Sequence, residues 1–277
     1  MLQIINGLWI GKELSAMELL TIESYQNYGF EFHLWCYDKI SNLPRNVVVQ
    51  DANKIIPKSS IFSYQKQNKF GHGKGSVSGF SDLFRYKLLF AVGGIWTDMD
   101  ITCLQSFSLD EDYFFRYHHQ IGLVGNFMKA PAKSDLMWFC YEETLKQVDE
   151  HNTNWLLPIE ILKQGVKKYN LEKYIFDISN KDSFPLVRKM YTKNYDFNLQ
   201  NWKIIHWMNE EFRRFGIDKN FAVKKSSYYQ LLLQNNVQFN TLSNWNALKI
   251  KYQTSSINYS IINLKARLLW IWSYFIK

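Results

Sequence analysis

The sequence predicts an α/β protein of the nucleotide-binding kind, built on a mainly parallel sheet. Three observations predict it. Strand-like and helix-like segments alternate through the first hundred residues, their connections are short, and a helix closed by two glycines runs straight into a strand-like run carrying two aspartates. With 277 residues the chain is long enough for one large domain with a modest appendage, and long enough to bury a full core.

The apolar run Ile4-Ile5-Asn6-Gly7-Leu8-Trp9-Ile10 predicts a buried first strand. Ser15 then precedes a helix with Met17, Leu20 and Ser24 on helical spacing, ended near Gly29. "EFHLWCYD", 31–38, predicts the second strand, and Val47-Val48-Val49, after Pro44, a third. The glycine-rich "NKFGHGKGSVSGF", 68–80, is not a phosphate loop. The position five before Gly73 is Asn68 instead of glycine, and Lys74 is followed by Gly75 where Ser or Thr is needed. It reads equally as a mobile lid beside a ligand and as a flexible connection into the next helix.

From Phe80 to Val92 the chain has no Gly or Pro, which predicts a helix closed by Gly93 and Gly94, with Asp82, Arg85 and Leu89 sharing one face. "IWTDMDI", 95–101, predicts a strand with Trp96, Asp98 and Asp100 on one face and Ile95, Thr97, Met99 and Ile101 on the other. Same-face residues on a strand stand roughly 7 Å apart. Unpaired buried charges cost several kcal/mol, so these acids are expected to be solvated, paired or bound to a cation. Hard oxygen donors favour Mg²⁺ or Mn²⁺, which with open positions would bind a diphosphate.

The run "SDLFRY", a helix, "GG", an aromatic residue and "DMD" resembles the Asp-x-Asp sugar-binding region of the retaining glycosyltransferases of family 32 and, more distantly, the glycosylating domains of the large clostridial toxins. The resemblance is close over about 78–105, looser over 1–50, and thin beyond about 130. It implies a GT-A fold (Rossmann-like, nucleotide-sugar-binding, with helical additions), a nucleotide-sugar donor, and a divalent cation, usually Mn²⁺. By position, Asp82 and Arg85 match residues that hydrogen-bond the donor sugar, Asp98 the first acid near ribose and sugar, and Asp100 the second acid, a direct metal ligand. Trp96 stands where the family has an aromatic lining the sugar site, and Trp9 where relatives contact the nucleotide. On physical grounds alone, an Asp and an Arg three apart on a helix suit sugar hydroxyls, or form a surface ion pair worth under about 1 kcal/mol.

In "NWKIIHWMNEEFRR", 201–214, a strand-like run ends at His206 and Trp207. The resemblance implies that His206 completes the cation site or touches the diphosphate, although the family's usual Gly-Ser-Trp does not follow it. "GLVGNFMKAPAKSD", 122–135, resembles the stretch in relatives where an Asn at a strand end borders the acceptor side, which implies Asn126 as a sugar contact; read alone, it is equally a turn residue. His118 and His119 are expected to have no metal role.

Composition bounds the rest. Aromatic residues make up 17% of the chain, which suits a filled core as well as flat ligands. Cys36, Cys103 and Cys140 are odd in number and far apart, offering neither a disulfide framework nor a zinc site and pointing to a reducing cytoplasm. No leader and no spanning segment are expected. Residues 1–218 balance 25 basic against 25 acidic side chains, and the whole excess of +8 lies after Asp218, where no acid remains. This predicts a catalytic domain over 1–218 and a basic helical extension over 219–277 that meets an anionic surface; no recognition motif suggests nucleic acid. In the tail, Ile261, Leu264, Leu268, Ile271 and Phe275 recur at helical spacing, with Trp270, Trp272 and Tyr274 as interfacial aromatics. The segment 258–277 is read either as lying on the inner face of the cytoplasmic membrane or as packing on the domain.

Resemblance and composition together imply a bacterial transferase moving a hexose or N-acetylhexosamine from a UDP-sugar to a glycan or polyprenyl-diphosphate-linked acceptor in capsule, O-antigen or lipopolysaccharide synthesis. A glycoside hydrolase also uses two acids, and a sugar- or nucleotide-binding module without turnover is the reading from another class.

Overall fold

The computed structural model describes residues 3–253 and 255–275, with backbone alone at 244, 256 and 272–275. Strand β1 (Ile4–Trp9) leads to helix α1 (Ala16–Asn27) and β2 (Glu31–Cys36). Ser15 caps α1 through a capping box in which its side chain and that of Glu18 satisfy each other's backbone amides. Strand β3 (Val48–Asp51) follows, then helix α2 (Ser78–Val92), β4 (Gly94–Thr97) and β5 (Ile101–Cys103). Gly93 and Gly94 have φ of 70° and 92°, and a Cβ on Gly93 would lie 2.5 Å from the Ala132 amide nitrogen. Gly93→Ala is therefore expected to cost roughly 1–3 kcal/mol, read as a lower urea midpoint.

The chain continues through β6 (Phe114–His118), β7 (Gly122–Ala130), α3 (Asp135–Gln147), α4 (Leu157–Lys168), β8 (Ile175–Phe176), α5 (Phe184–Thr192), β9 (Ile204–His206) and α6 (Asn209–Phe215). It ends with β10 (Phe221–Ala222), α7 (Ser227–Gln234), β11 (Asn240–Thr241), α8 (Asn244–Gln253) and α9 (Ser256–Phe275). The central sheet has the order β3-β2-β1-β4-β7-β6-β8. Only β7 runs against the others, so the sheet is mainly parallel, as predicted. Strands β2 and β3 build out from one side of β1 and β4 from the other, which leaves a crevice at the carboxyl ends of β1 and β4.

Side-chain alternation divides the core. Trp96 and Met128 point to the face covered by Phe84 and Leu88 of α2 and Leu162 of α4, while Ile95 and Phe127 point to the face covered by Ile22 and Tyr25 of α1. A further apolar cluster joins Met17 and Leu20 to Val187, Trp207, Phe212, Tyr228, Leu232 and Ile250. That cluster runs across residue 218, so the border there divides charge, and residues 222–250 share a core with α1.

Three local expectations change. The strand expected through Ile101 stops at Thr97, and Asp98, Met99 and Asp100 make a turn into β5, which belongs to a second sheet with β9. Other elements satisfy this turn: Asp98 N donates to Asn126 O (2.7 Å), Thr21 Oγ1 to Met99 O (3.0 Å), and Trp207 N to Asp100 O (2.9 Å). Asn126 lies inside β7, not at its end. Register jumps from Phe115↔Met128 to Arg116↔Val124, leaving 125–127 unpaired with β6. The tail helix α9 packs Tyr259, Ile262 and Ala266 inward and leaves Ile261, Leu264, Leu268 and Ile271 exposed. Among the described residues no helix is long and apolar enough to cross a membrane. The side chains of Trp272, Tyr274 and Phe275, and residues 276 and 277, lie outside the described residues.

Candidate active site

A cavity of about 510 Å³ opens at the carboxyl ends of β1 and β4, within the usual range for small-molecule sites. Trp9 comes to it from β1, Asp82 and Arg85 from α2, Trp96 from β4, Asn126 from β7 and His206 from β9, with Asp98 and Asp100 on the turn between them. Residues far apart in sequence thus line one space, and the turn sends its two acids to different partners.

Asp98 belongs to the α2 side. Arg85 Nη2 lies 2.6 Å from Asp82 Oδ1 and 3.3 Å from Asp98 Oδ1, and Trp96 Nε1 donates to Asp98 Oδ1 at 2.8 Å. The guanidinium also sits over the Trp96 ring, 5.4 Å from its centroid. Arg85 is only 4% exposed, so this is a buried cation held between two carboxylates. Its Nε–H has no acceptor among the described residues. Burial opposes the charge on Arg85, but Asp82 and Asp98 outweigh it and raise the group. Burial likewise lifts Asp82 to about 6, with Arg85 pulling it down and Asp98 pushing it further up. Asp98 also rises, chiefly through burial.

Asp100 belongs to the β9 side. The β5–β9 ladder pairs Ile101 with His206, and this register sets the imidazole next to the second acid. His206 Nε2 lies 3.4 Å from Asp100 Oδ2, which also accepts the Asn209 amide at the start of α6 (2.7 Å). The other ring nitrogen, Nδ1, makes a short contact with Asp182 Oδ1. Asn180 clasps the His206 backbone on both sides, receiving its N–H at 2.8 Å and donating to its carbonyl at 3.1 Å. Burial would raise Asp100, but His206 and the Asn209 amide hold it below the ordinary carboxylate range. Burial would lower His206; the carboxylates of Asp100 and Asp182 prevail and raise it to about 9.

Asp182 was not legible from sequence. Its carboxylate is buried, with the residue itself half-buried; it takes two contacts from Arg116 Nη2 (2.9 and 2.7 Å), and Arg116 in turn donates through Nε to Asn126 Oδ1 (2.8 Å) and through Nη1 to Ser179 Oγ (2.6 Å). Burial would raise Asp182, but Arg116 and His206 hold it far below the carboxylate range. No motif in "SNKDSF" announces this role; only the crossing of β6, β8 and β9 brings the residues together.

Two places in this region have the ligand types for a cation. His118, His119 and Asp182 have donor atoms near one another, although the two histidines are expected to have no metal role. Yet Asp182 is already occupied by Arg116 and His206, and His118 Nδ1 accepts the Gln120 and Ile121 amides, which leaves its Nε2 carrying the proton toward Asp182 (3.3 Å). Asp100 and His206 fit better. A buried carboxylate orienting the far nitrogen of an imidazole is the usual support for a metal-ligating histidine, and Nε2 faces Asp100 with Asp98 on the same turn.

With its proton, His206 stabilises the metal-free fold fully below its ordinary value of 6.5, and this contribution is lost as pH rises through about 9. In chelator, the thermal midpoint is expected to fall across that window, and to fall less in His206→Gln. An equal slope in both proteins would contradict the assignment.

Residues 23–118 match the family model described as a glycosyltransferase sugar-binding region containing a DXD motif. The chain carries a glycosyltransferase sugar-binding region. This match spans Asp82, Arg85, Asp98 and Asp100 and ends before Asn126 and His206. The chain is 24% identical over 191 residues to an uncharacterized glycosyltransferase of Acanthamoeba polyphaga mimivirus, a similarity covering 65% of this chain and 70% of that protein. Among solved structures it is similar to PaToxG glycosyltransferase (12% identity, TM-score 0.42, covering 92% of this chain and 85% of that one). It is also similar to the bifunctional glycosyltransferase WbbM (12% identity, TM-score 0.46), covering 91% of this chain and 51% of that one. With the family match and the mainly parallel sheet, the fold is the α/β, GT-A-like one expected of such a transferase.

Proposed function

We propose that this glycosyltransferase moves a hexose or N-acetylhexosamine from a UDP-sugar, with retention of configuration and with Mn²⁺ or Mg²⁺, to a glycan or polyprenyl-diphosphate-linked acceptor in bacterial surface polysaccharide synthesis. The observation that carries the reading is the parting of the two acids: Asp98 joins Arg85 and Asp82, and Asp100 joins His206, across one cavity. One side has donors and acceptors suited to sugar hydroxyls. The other has oxygen and imidazole donors suited to a divalent cation.

In this reading Asp100 and His206, with Asp98 beside them, hold the cation, which when bound supplies positive charge next to the donor diphosphate. Asp82 and Arg85 orient the sugar, Asn126 borders it, Trp96 fixes Asp98, and Trp9 lies beside the base or ribose. Asp82 and Asp98 are both engaged by Arg85, so neither is free to attack the sugar as a nucleophile. This supports front-face substitution, in which the acceptor oxygen bonds to the anomeric carbon as that carbon's bond to the diphosphate oxygen breaks, and the hydroxyl proton leaves with that phosphate. Catalysis then rests on positioning and electrostatics. The same pairing weakens the hydrolase reading, which needs carboxyls on opposite sides of a glycosidic bond.

In this reading the enzyme is peripheral, held at the inner face of the cytoplasmic membrane through 258–277, whose helix leaves Ile261, Leu264, Leu268 and Ile271 exposed. Calorimetry of UDP with and without Mn²⁺ tests the donor half directly. Binding that requires the cation and weakens in Asp100→Ala supports the proposal; the same UDP affinity in EDTA overturns the metal-dependent part. An inverted product anomer by NMR would overturn retention.

A further inference from the structure

Helix α9 is turned the wrong way for a helix that only packs on its own domain. Its inward face carries Tyr259, Ile262, Asn263 and Ala266, whereas Ile257, Ile261, Leu264, Leu268 and Ile271, spaced by four, three, four and three, form one outward stripe. Leu264 is 59% and Ile257 75% exposed, and Trp245, Leu248 and Tyr252 of α8 add further exposed apolar surface. At about 100° per residue, Lys265 and Arg267 stand on either side of the stripe. Monomers rarely expose so continuous an apolar face without a partner.

Next to the stripe a cleft of about 340 Å³ opens between α9 and the glycine-rich loop, with Lys74, Arg213, Arg214 and Lys265 in its walls beside Leu269. Arg213 pairs with Glu210 and Arg214 with Glu211, each at 2.7 Å. Among the described residues no carboxylate pairs with Lys74 or Lys265, so the cleft keeps a net positive charge. Arg214 donates to Phe70 O (2.6 Å) and to Asn263 Oδ1 (2.8 Å), tying the loop to α9, and Arg213 donates to Lys74 O (2.7 Å). The loop is thus a strap fastened to α6 and α9.

We propose that this face docks on an anionic lipid bilayer, with the α9 stripe entering the interface and the Lys74–Lys265 cleft taking a lipid phosphate headgroup. Charge complementarity decides the occupant. No acid follows Asp218, and an anionic leaflet attracts such a surface. A second copy would place the same cations against each other across a two-fold axis. The proposal deepens the membrane reading above and rests on it, not on the identity of the donor.

The test is co-sedimentation of the full chain with vesicles of phosphatidylcholine alone and of phosphatidylcholine mixed with phosphatidylglycerol. Binding is expected only with the anionic lipid. Lys74→Ala with Lys265→Ala should weaken it roughly thirtyfold, and Leu264→Asp with Leu268→Asp should abolish it. These side chains are exposed or line the open cleft, so circular dichroism and UDP binding should be unchanged; the latter separates this test from that of the transferase reading. Failure of the native chain to bind anionic vesicles, or full binding by either double variant, overturns the proposal. Light scattering that shows a dimer broken by the Leu264→Asp pair would overturn it in favour of a second copy.

Discussion

Asp100→Ala is expected to lower sugar transfer roughly a hundred- to a thousandfold, the scale on which enzymes lose a single preorganised charge contact at a developing anion. Asp100 sits at the meeting of three supports: the Trp207 amide on its carbonyl, the Asn209 amide on Oδ2, and His206 Nε2 at 3.4 Å. The backbone contact survives the substitution, so the turn should keep its path while the anionic donor is lost. UDP release under saturating Mn²⁺ measures the effect, and direct Mn²⁺ binding should fall with it. Retention of native activity would remove Asp100 from the metal site.

Asp182→Ala is expected to cost about 3–5 kcal/mol of stability, the penalty for stranding a buried charge. Arg116 is fully buried and gives both Nη2 contacts to Asp182, while His206 gives its Nδ1 contact to the same carboxylate. The urea midpoint reads this cost. Adding Arg116→Met, which removes the stranded cation, should recover part of it, a coupling that a double-mutant cycle isolates. Additive losses would show that the pair does not act as a unit.

Much of the architecture was legible because its signals are local. The helix start at Ser15, the apolar runs of β1 and β2, and the Gly93–Gly94 stop all act within a few residues. The Asp82, Arg85, Asp98 and Asp100 constellation was legible for the same reason, lying within twenty residues of chain. Strand alternation misplaced the acids, because it assumes that a run of β-formers continues. Here the ladder breaks at Thr97, and α1, β7 and the segment after β9 take over the hydrogen bonds of the turn. Asp182 and Arg116 were invisible because an ion pair 66 positions apart leaves no trace in spacing. The charge border at 218 was easy to read, but charge lies on surfaces, and the core of Met17, Trp207 and Leu232 crosses it.

The central claim is that one cavity binds a nucleotide-sugar through a cation held at Asp100. Hydrolysis of a panel of UDP-sugars, read as UDP release in Mn²⁺ and in EDTA, for the native chain and Asp100→Ala, tests it most directly. The expected result is release from one sugar that disappears with chelation and with the substitution. Release that persists undiminished in EDTA and in Asp100→Ala would contradict it.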